Sequence, residues 1–172
     1  MAHSVELLFD PETDDAIRRQ WAALAEAGLP SQAHHRSPTN RPHVTLTVAE
    51  RIEPAVDDAL RQLVGRLPLP CRIGAPLVFG RRSLVLARLI VPDRGLLDFH
   101  ESVDGICLPH MASGPFAHAR PGQWTPHVTL ARRLAPADLA AALDLVGADA
   151  AAGTFAGLRR WDGDARVDTV IA

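Results

Sequence analysis

One five-residue string occurs twice in this chain, and it constrains the fold more than any other feature. Pro42-His43-Val44-Thr45-Leu46 recurs as Pro126-His127-Val128-Thr129-Leu130. Long-range self-similarity is the mark of a repeated structural unit. The flanks agree with that. Before the first copy, Val5-Glu6-Leu7-Leu8-Phe9 reads as a strand, and Asp10-Pro11 opens a helix with proline in its first turn. Ile17, Trp21 and Leu24 follow at helical spacing, and Gly28 is a C-terminal stop. Before the second copy, Ser83 to Ile90 reads as a strand. Pro92 follows, then Leu96, Phe99, Val103 and Ile106 at helical spacing.

The downstream flanks repeat as well. Pro54 starts a helix carrying Val56, Leu60, Leu63 and Val64, and Pro136 starts one carrying Leu139, Leu143 and Val146. Each half then ends in a strand, Cys71 to Phe79 and Thr154 to Trp161. A turn at Asp162-Gly163-Asp164 leads to a last strand, Arg166 to Ile171. Each half is therefore strand–helix–strand–helix–strand, about 4–79 and about 83–172. Such a unit leaves a sheet face uncovered, and two copies related by a pseudo-twofold axis solve that problem together. Gly80-Arg81-Arg82 is a turn rather than a linker, so the expectation is one bilobal domain over 1–172. The long irregular segments 29–42 and 108–125 are candidates for functional loops.

Side chains two apart on a strand share a face. His43 and Thr45 share one face, as do His127 and Thr129, with Val44, Leu46, Val128 and Leu130 turned to a core. Two polar faces brought together make a cleft. Paired imidazoles suit acid–base work near neutral pH, one neutral and taking a proton, one protonated and giving it. Threonine hydroxyls can donate to phosphate oxygens where charge accumulates. The duplication leaves the two histidines near-equivalent, so the residues alone do not say which is acid and which base.

Composition removes several alternatives. All 18 basic residues are arginine, so no lysine-dependent phosphate loop or Schiff base exists, and there is no tyrosine to serve as nucleophile or acid. A net charge of −2 excludes a basic nucleic-acid coat. The two cysteines, Cys71 and Cys107, are too few for a disulfide framework and read as buried thiols. There is no signal-peptide pattern and no apolar run of membrane-spanning length. The expectation is a soluble cytoplasmic monomer with no membrane or DNA partner.

Two His-x-Thr motifs, one in each half, resemble the two-histidine phosphoesterase superfamily, and in particular its 2′-5′ RNA ligase/cyclic phosphodiesterase branch. The segment Trp124-Thr125-Pro126-His127-Val128-Thr129-Leu130-Ala131-Arg132 carries the strongest likeness. The resemblance implies a bilobal α+β fold with antiparallel sheets backed by helices. It implies metal-independent opening of a 2′,3′-cyclic phosphate on a nucleotide or RNA end, with no cofactor. The implied roles are His127 activating water and His43 protonating the leaving oxygen. The alternatives are 2′-5′ RNA ligation in the same cleft and a non-catalytic nucleotide- or RNA-binding module.

The substrate-binding candidates are Thr45, Thr129, Trp124, Arg132 and Arg133. The resemblance favours Arg132, whereas strict alternation puts Arg133 on the face of His127, so a bulge must reorient the strand if Arg132 is the contact. After the first motif, Thr47-Val48-Ala49-Glu50 departs from the family pattern. Phe116 and Phe9 are further candidates to line the cleft. His34 and His35 read as a solvated loop rather than a metal site, and His100 as a helix-surface residue. His110 and His118 are candidate lid residues. Arg81-Arg82 and Arg159-Arg160 read as solvated, and Glu12, Asp14 and Asp15 as first-turn acids suited to a helix N-terminus.

Overall fold

The computed structural model describes residues 1–172. Its first half runs β1 (His3–Phe9), α1 (Pro11–Glu26), β2 (His43–Ala49), α2 (Val56–Leu60) and β3 (Leu69–Phe79). Its second half runs β4 (Leu84–Ile90), α3 (Arg94–Cys107), β5 (His127–Leu134), α4 (Leu139–Val146), β6 (Ala151–Asp162) and β7 (Val167–Val170). Local signals account for the helix starts. Asp10 caps α1 by accepting from the Thr13 amide, and Asp93 caps α3 by accepting from the Leu96 amide. The α2 helix is short because the chain tightens into a 3₁₀ turn at Arg61–Arg66.

All strand pairs are antiparallel, in the order β1-β2-β5-β4-β3-β6-β7, and β6 also pairs with β1. The expected sheets are thus joined into one hydrogen-bonded network. The halves exchange their third strands. The last strand of the first half, β3, pairs only with second-half strands β4 and β6, while β6 pairs with β1 as well as with β3 and β7. The helices cross over too, α1 packing on α4 and α2 on α3. Each half therefore completes the other's core. One apolar cluster spans both halves, from Ile17, Trp21 and Leu24 of α1 to Leu96, Phe99 and Val103 of α3.

The two pentapeptides meet directly. β2 and β5 are joined at a single pair, Val44 with Val128, the central residue of each copy. Both valines are buried, and the flanking His and Thr residues are half-buried on the opposite face. No helix is long and apolar enough to cross a membrane.

Several surface readings are corrected. Arg159 and Arg160 are 3% and 5% exposed rather than solvated. They are buried because each has a carboxylate: Arg159 bonds Glu6 and Asp168, and Arg160 grips Asp57 with two nitrogens. His100 is 2% exposed and stacks on Trp124 at 3.9 Å with rings nearly parallel. A helix can present a histidine inward when a ring and a carbonyl are there to receive it, here Trp124 and the Ala119 carbonyl. Phe9 lies in the core against Phe155, not on the cleft, because it shares the core face of β1 with Val5 and Leu7, opposite to Ser4 and Glu6. Cys71 and Cys107 are buried and unpaired as expected, and burial pushes both thiols up to about 12.

Candidate active site

The polar faces of β2 and β5 border one cavity of about 490 Å³. His43, Thr45, His127, Thr129, Arg132 and Trp124 all line it, so six of the seven sequence candidates come together. Arg133 does not line it and is exposed.

The same backbone device holds both histidines. The Nδ1–H of His43 donates to the Arg41 carbonyl at 2.7 Å, and that of His127 donates to the Thr125 carbonyl at 2.7 Å. A carbonyl only accepts, so Nδ1 must carry the proton in each ring. In both, Nε2 is left as the nitrogen that can take or give a proton.

A bulge resolves the two arginines. Between β4 and β5 the register passes from Ala87 opposite Thr129 to Leu86 opposite Ala131, which inserts one extra residue at Leu130. Parity flips there, Leu130 and Ala131 are both buried, and Arg132 returns to the face of His127. Arg133 follows with φ of 61°, at a second register shift before Leu134. The first half carries the same bulge, Glu6 opposite Thr45 and Val5 opposite Thr47, with the extra residue at Leu46. Val48 there takes the place that Arg132 takes in the second half, and it too lines the cavity.

The two histidines differ in their surroundings. Burial pushes the His127 imidazole below the ordinary histidine value. The bond to Thr125 opposes this, and the positive charge of Arg132, with His43 and His118, adds to it. The ring of Phe79 lies over His127 at 4.7 Å. His43 Nε2 instead lies 3.7 Å from Glu6 Oε1. Burial alone would push the Glu6 carboxyl up. His43 and Arg159, with hydrogen bonds from Ser4 and Arg159, outweigh that and hold it below the usual range.

Sequence reading missed Glu6, Ser4, Phe79 and Val85, which also line the cavity. Glu6 and Ser4 left a faint signal, as polar residues alternating within an otherwise apolar first strand. Phe79 left none, because only the fold carries the end of β3 to β5. Trp124 is less free than a stacking platform would be. Its indole N–H donates to the Thr45 carbonyl at 2.9 Å, and His100 covers one ring face. Trp21 makes the matching bond to the Thr129 carbonyl at 3.0 Å. His118 lines the cavity, whereas His110 and Phe116 do not. Loop 108–125 is tied down over β2 by the Phe116 amide on the Val48 carbonyl.

His34 and His35 are exposed on a 3₁₀ turn and its cap, and His35 borders a smaller cavity of about 170 Å³ that shares Glu6 and His43 with the main one. The grouping with the geometry to hold a metal ion is His3, Asp162 and Asp164, at the β6–β7 turn outside the main cavity.

Residues 13–164 match the family model of the 2′-5′ RNA ligase superfamily. Among solved structures the chain is similar to TT0787 of Thermus thermophilus, at 19% identity and TM-score 0.60, covering 100% of this chain and 96% of that one. It is similar to Usb1 of Kluyveromyces marxianus, at 14% identity and TM-score 0.56, covering 99% and 97%, and that protein has also been solved with uridine monophosphate. It is similar to E. coli LigT complexed with 3′-AMP, at 16% identity and TM-score 0.51, covering 98% and 92%. At these identities the likeness establishes the mixed fold of helices and antiparallel sheet. A search of curated proteins finds no match.

Proposed function

Because this chain belongs to the 2′-5′ RNA ligase superfamily, we propose that its cleft is a metal-independent phosphodiesterase site that opens a 2′,3′-cyclic phosphate on a nucleotide or RNA end. The observation that carries this reading is the matched state of the two histidines. Both have Nδ1 committed to a backbone carbonyl and Nε2 turned to one shared cavity that also holds Arg132.

Nε2 of neutral His127 takes a proton from water, and the water oxygen bonds to phosphorus. The bond from phosphorus to one ribose oxygen breaks, and its electron pair stays on that oxygen. Protonated His43 supplies the proton, leaving a phosphomonoester and a free hydroxyl. Burial and Arg132 favour the neutral form of His127, as a base requires. Arg132 and the hydroxyls of Thr45 and Thr129, which line the same cavity, bond the non-bridging oxygens, where negative charge grows. Phe79 and Trp124 offer apolar walls to a nucleoside. The buried, unpaired Cys71 and Cys107 fit a reducing compartment such as the cytoplasm.

The test is hydrolysis of the four nucleoside 2′,3′-cyclic monophosphates in EDTA by wild type, His43→Ala and His127→Ala. Turnover by wild type alone is expected. Folded variants that turn over as fast as wild type would overturn the reading.

A further inference from the structure

The two bulged strands repeat one backbone but not one set of charges. The shared register makes positions comparable. Opposite Thr45 stands Glu6, and opposite Thr129 stands Ala87. Along the same strands and face, Ser4 borders the cavity in the first half and Val85 in the second. The first half thus sets an acid beside its histidine where the second half has a methyl group. The second half sets Arg132 where the first has Val48.

From this we infer that Glu6 is a positioning residue that fixes His43 as the proton donor and so gives the cleft its direction. The inference rests on the phosphodiesterase reading above. Glu6 is 5% exposed and cannot swing away. Its Oε1 accepts from Ser4 Oγ at 2.6 Å, and its Oε2 accepts from Arg159 Nε at 2.7 Å. Arg159 in turn donates to Asp168 at 3.0 Å and to the Thr39 carbonyl at 2.8 Å. Two carboxylates therefore face one guanidinium. Arg159 holds Oε2, and Oε1, the oxygen it leaves free, is the one 3.7 Å from His43 Nε2.

Among the residues that line the two cavities with His43, the charged and titratable ones are Glu6 from β1, His127 and Arg132 from β5, Arg159 from β6, His35 from the preceding loop and His118 from the loop before β5; Arg41, two residues before His43, pairs with Asp14. Glu6 is the only acid among the lining residues. The Glu6 carboxylate can accept from an Nε2–H of His43, whereas the Arg132 guanidinium, beside His127, can only donate. A duplicated site could run its chemistry in either sense. With an acid on one side only, the proton is given on that side.

Leaving-group dependence tests this directly. A 2′,3′-cyclic phosphate expels a ribose oxygen that needs a proton, whereas a p-nitrophenyl ester of a nucleoside phosphate expels a phenolate that does not. Glu6→Gln keeps the shape and removes the charge. It should lose about tenfold or more on the cyclic phosphate and about threefold or less on the p-nitrophenyl ester, as expected when help to a departing oxygen is lost. Glu6→Asp, which keeps the charge, should retain more of the cyclic-phosphate rate. Asp168→Asn, on the far side of Arg159, serves as the control for a purely structural role and should show no such substrate dependence. Equal losses on both substrates, or no loss on either, would overturn the inference while leaving the phosphodiesterase reading standing. Wild type that cleaves neither substrate overturns both.

Discussion

The His43 side and the His127 side of the cleft are built alike and furnished differently. Each histidine gives its Nδ1 proton to the carbonyl two residues earlier, each strand bulges after its threonine, and each threonine carbonyl receives a tryptophan indole N–H. Around that shared frame, Glu6, Ser4 and Val48 attend the first copy, and Val85, Phe79 and Arg132 attend the second. Duplication supplies two equivalent imidazoles, while the proposed hydrolysis needs two different ones. The difference rests on a few side chains whose backbone positions correspond.

The largest effect should come from removing either imidazole. His43→Ala and His127→Ala should each cost about 10² to 10⁴ in kcat on a cyclic phosphate, the range for one acid or base. The double variant should lose little more than the worse single one, since the two act as a unit. Steady-state rates with an unfolding curve for each variant check this. Additive losses would mean that the copies work independently.

Arg132 should matter next. Arg132→Ala should lower kcat/KM by about tenfold to a hundredfold, since a charge-assisted hydrogen bond is worth about 1.5–3 kcal/mol. Arg133→Ala, on the exposed neighbour, should stay within about twofold of wild type, as surface changes commonly do. A reversed ranking would mean that the bulge does not aim Arg132 at the substrate.

This pair shows how far the sequence is legible. The repeated string, the proline and aspartate starts and the apolar spacing give each element its type, because these signals are local. The bulge at Leu130 has no such signal, since two consecutive buried residues there, Leu130 and Ala131, look like any apolar pair in a strand. Strict alternation therefore selects Arg133, and only the likeness to a family segment favours Arg132. Glu6, Arg159 and His100 fail for a related reason. A charged or titratable residue counts as solvated until its partner is known; Glu6 and Arg159 meet only in the fold, as do His100 and Trp124, and even Asp168 reaches Arg159 only across the β6–β7 pairing. The exchange of β3 and β6 between halves is equally non-local, since each half alone reads as a complete unit.

A pH profile sharpens the comparison at smaller cost. His127 sits below the ordinary histidine value, first through burial and then through Arg132. The acid limb of kcat/KM, where the base becomes protonated, should therefore lie below about 6.5, the unperturbed imidazole value. Removing Arg132 takes away a positive neighbour, so the limb should move to higher pH in Arg132→Ala. A limb that stays put would assign it to a group other than His127.

The smallest effect concerns the supports behind the two threonines. Trp21 carries the Arg18 guanidinium over its ring at 5.5 Å, whereas Trp124 is backed by the buried His100 ring at 3.9 Å. Only the second support is an imidazole. Burial lowers His100 below the ordinary value, against the bond to the Ala119 carbonyl. A histidine lowered by folding is more readily protonated when unfolded. Its contribution to stability is therefore complete above about pH 6.5 and is lost as pH falls toward the folded-state value. His100→Phe keeps a ring against Trp124 but cannot titrate or bond Ala119. At pH 8 it should cost about 1 kcal/mol for the lost hydrogen bond. Below pH 6.5 the gap to wild type should narrow, because wild type alone gives up the His100 contribution. His127 is lowered in the same sense and is present in both proteins, so it cancels in the difference. Urea unfolding of both proteins across this range measures the gap, and a constant gap would mean that His100 does not titrate with folding.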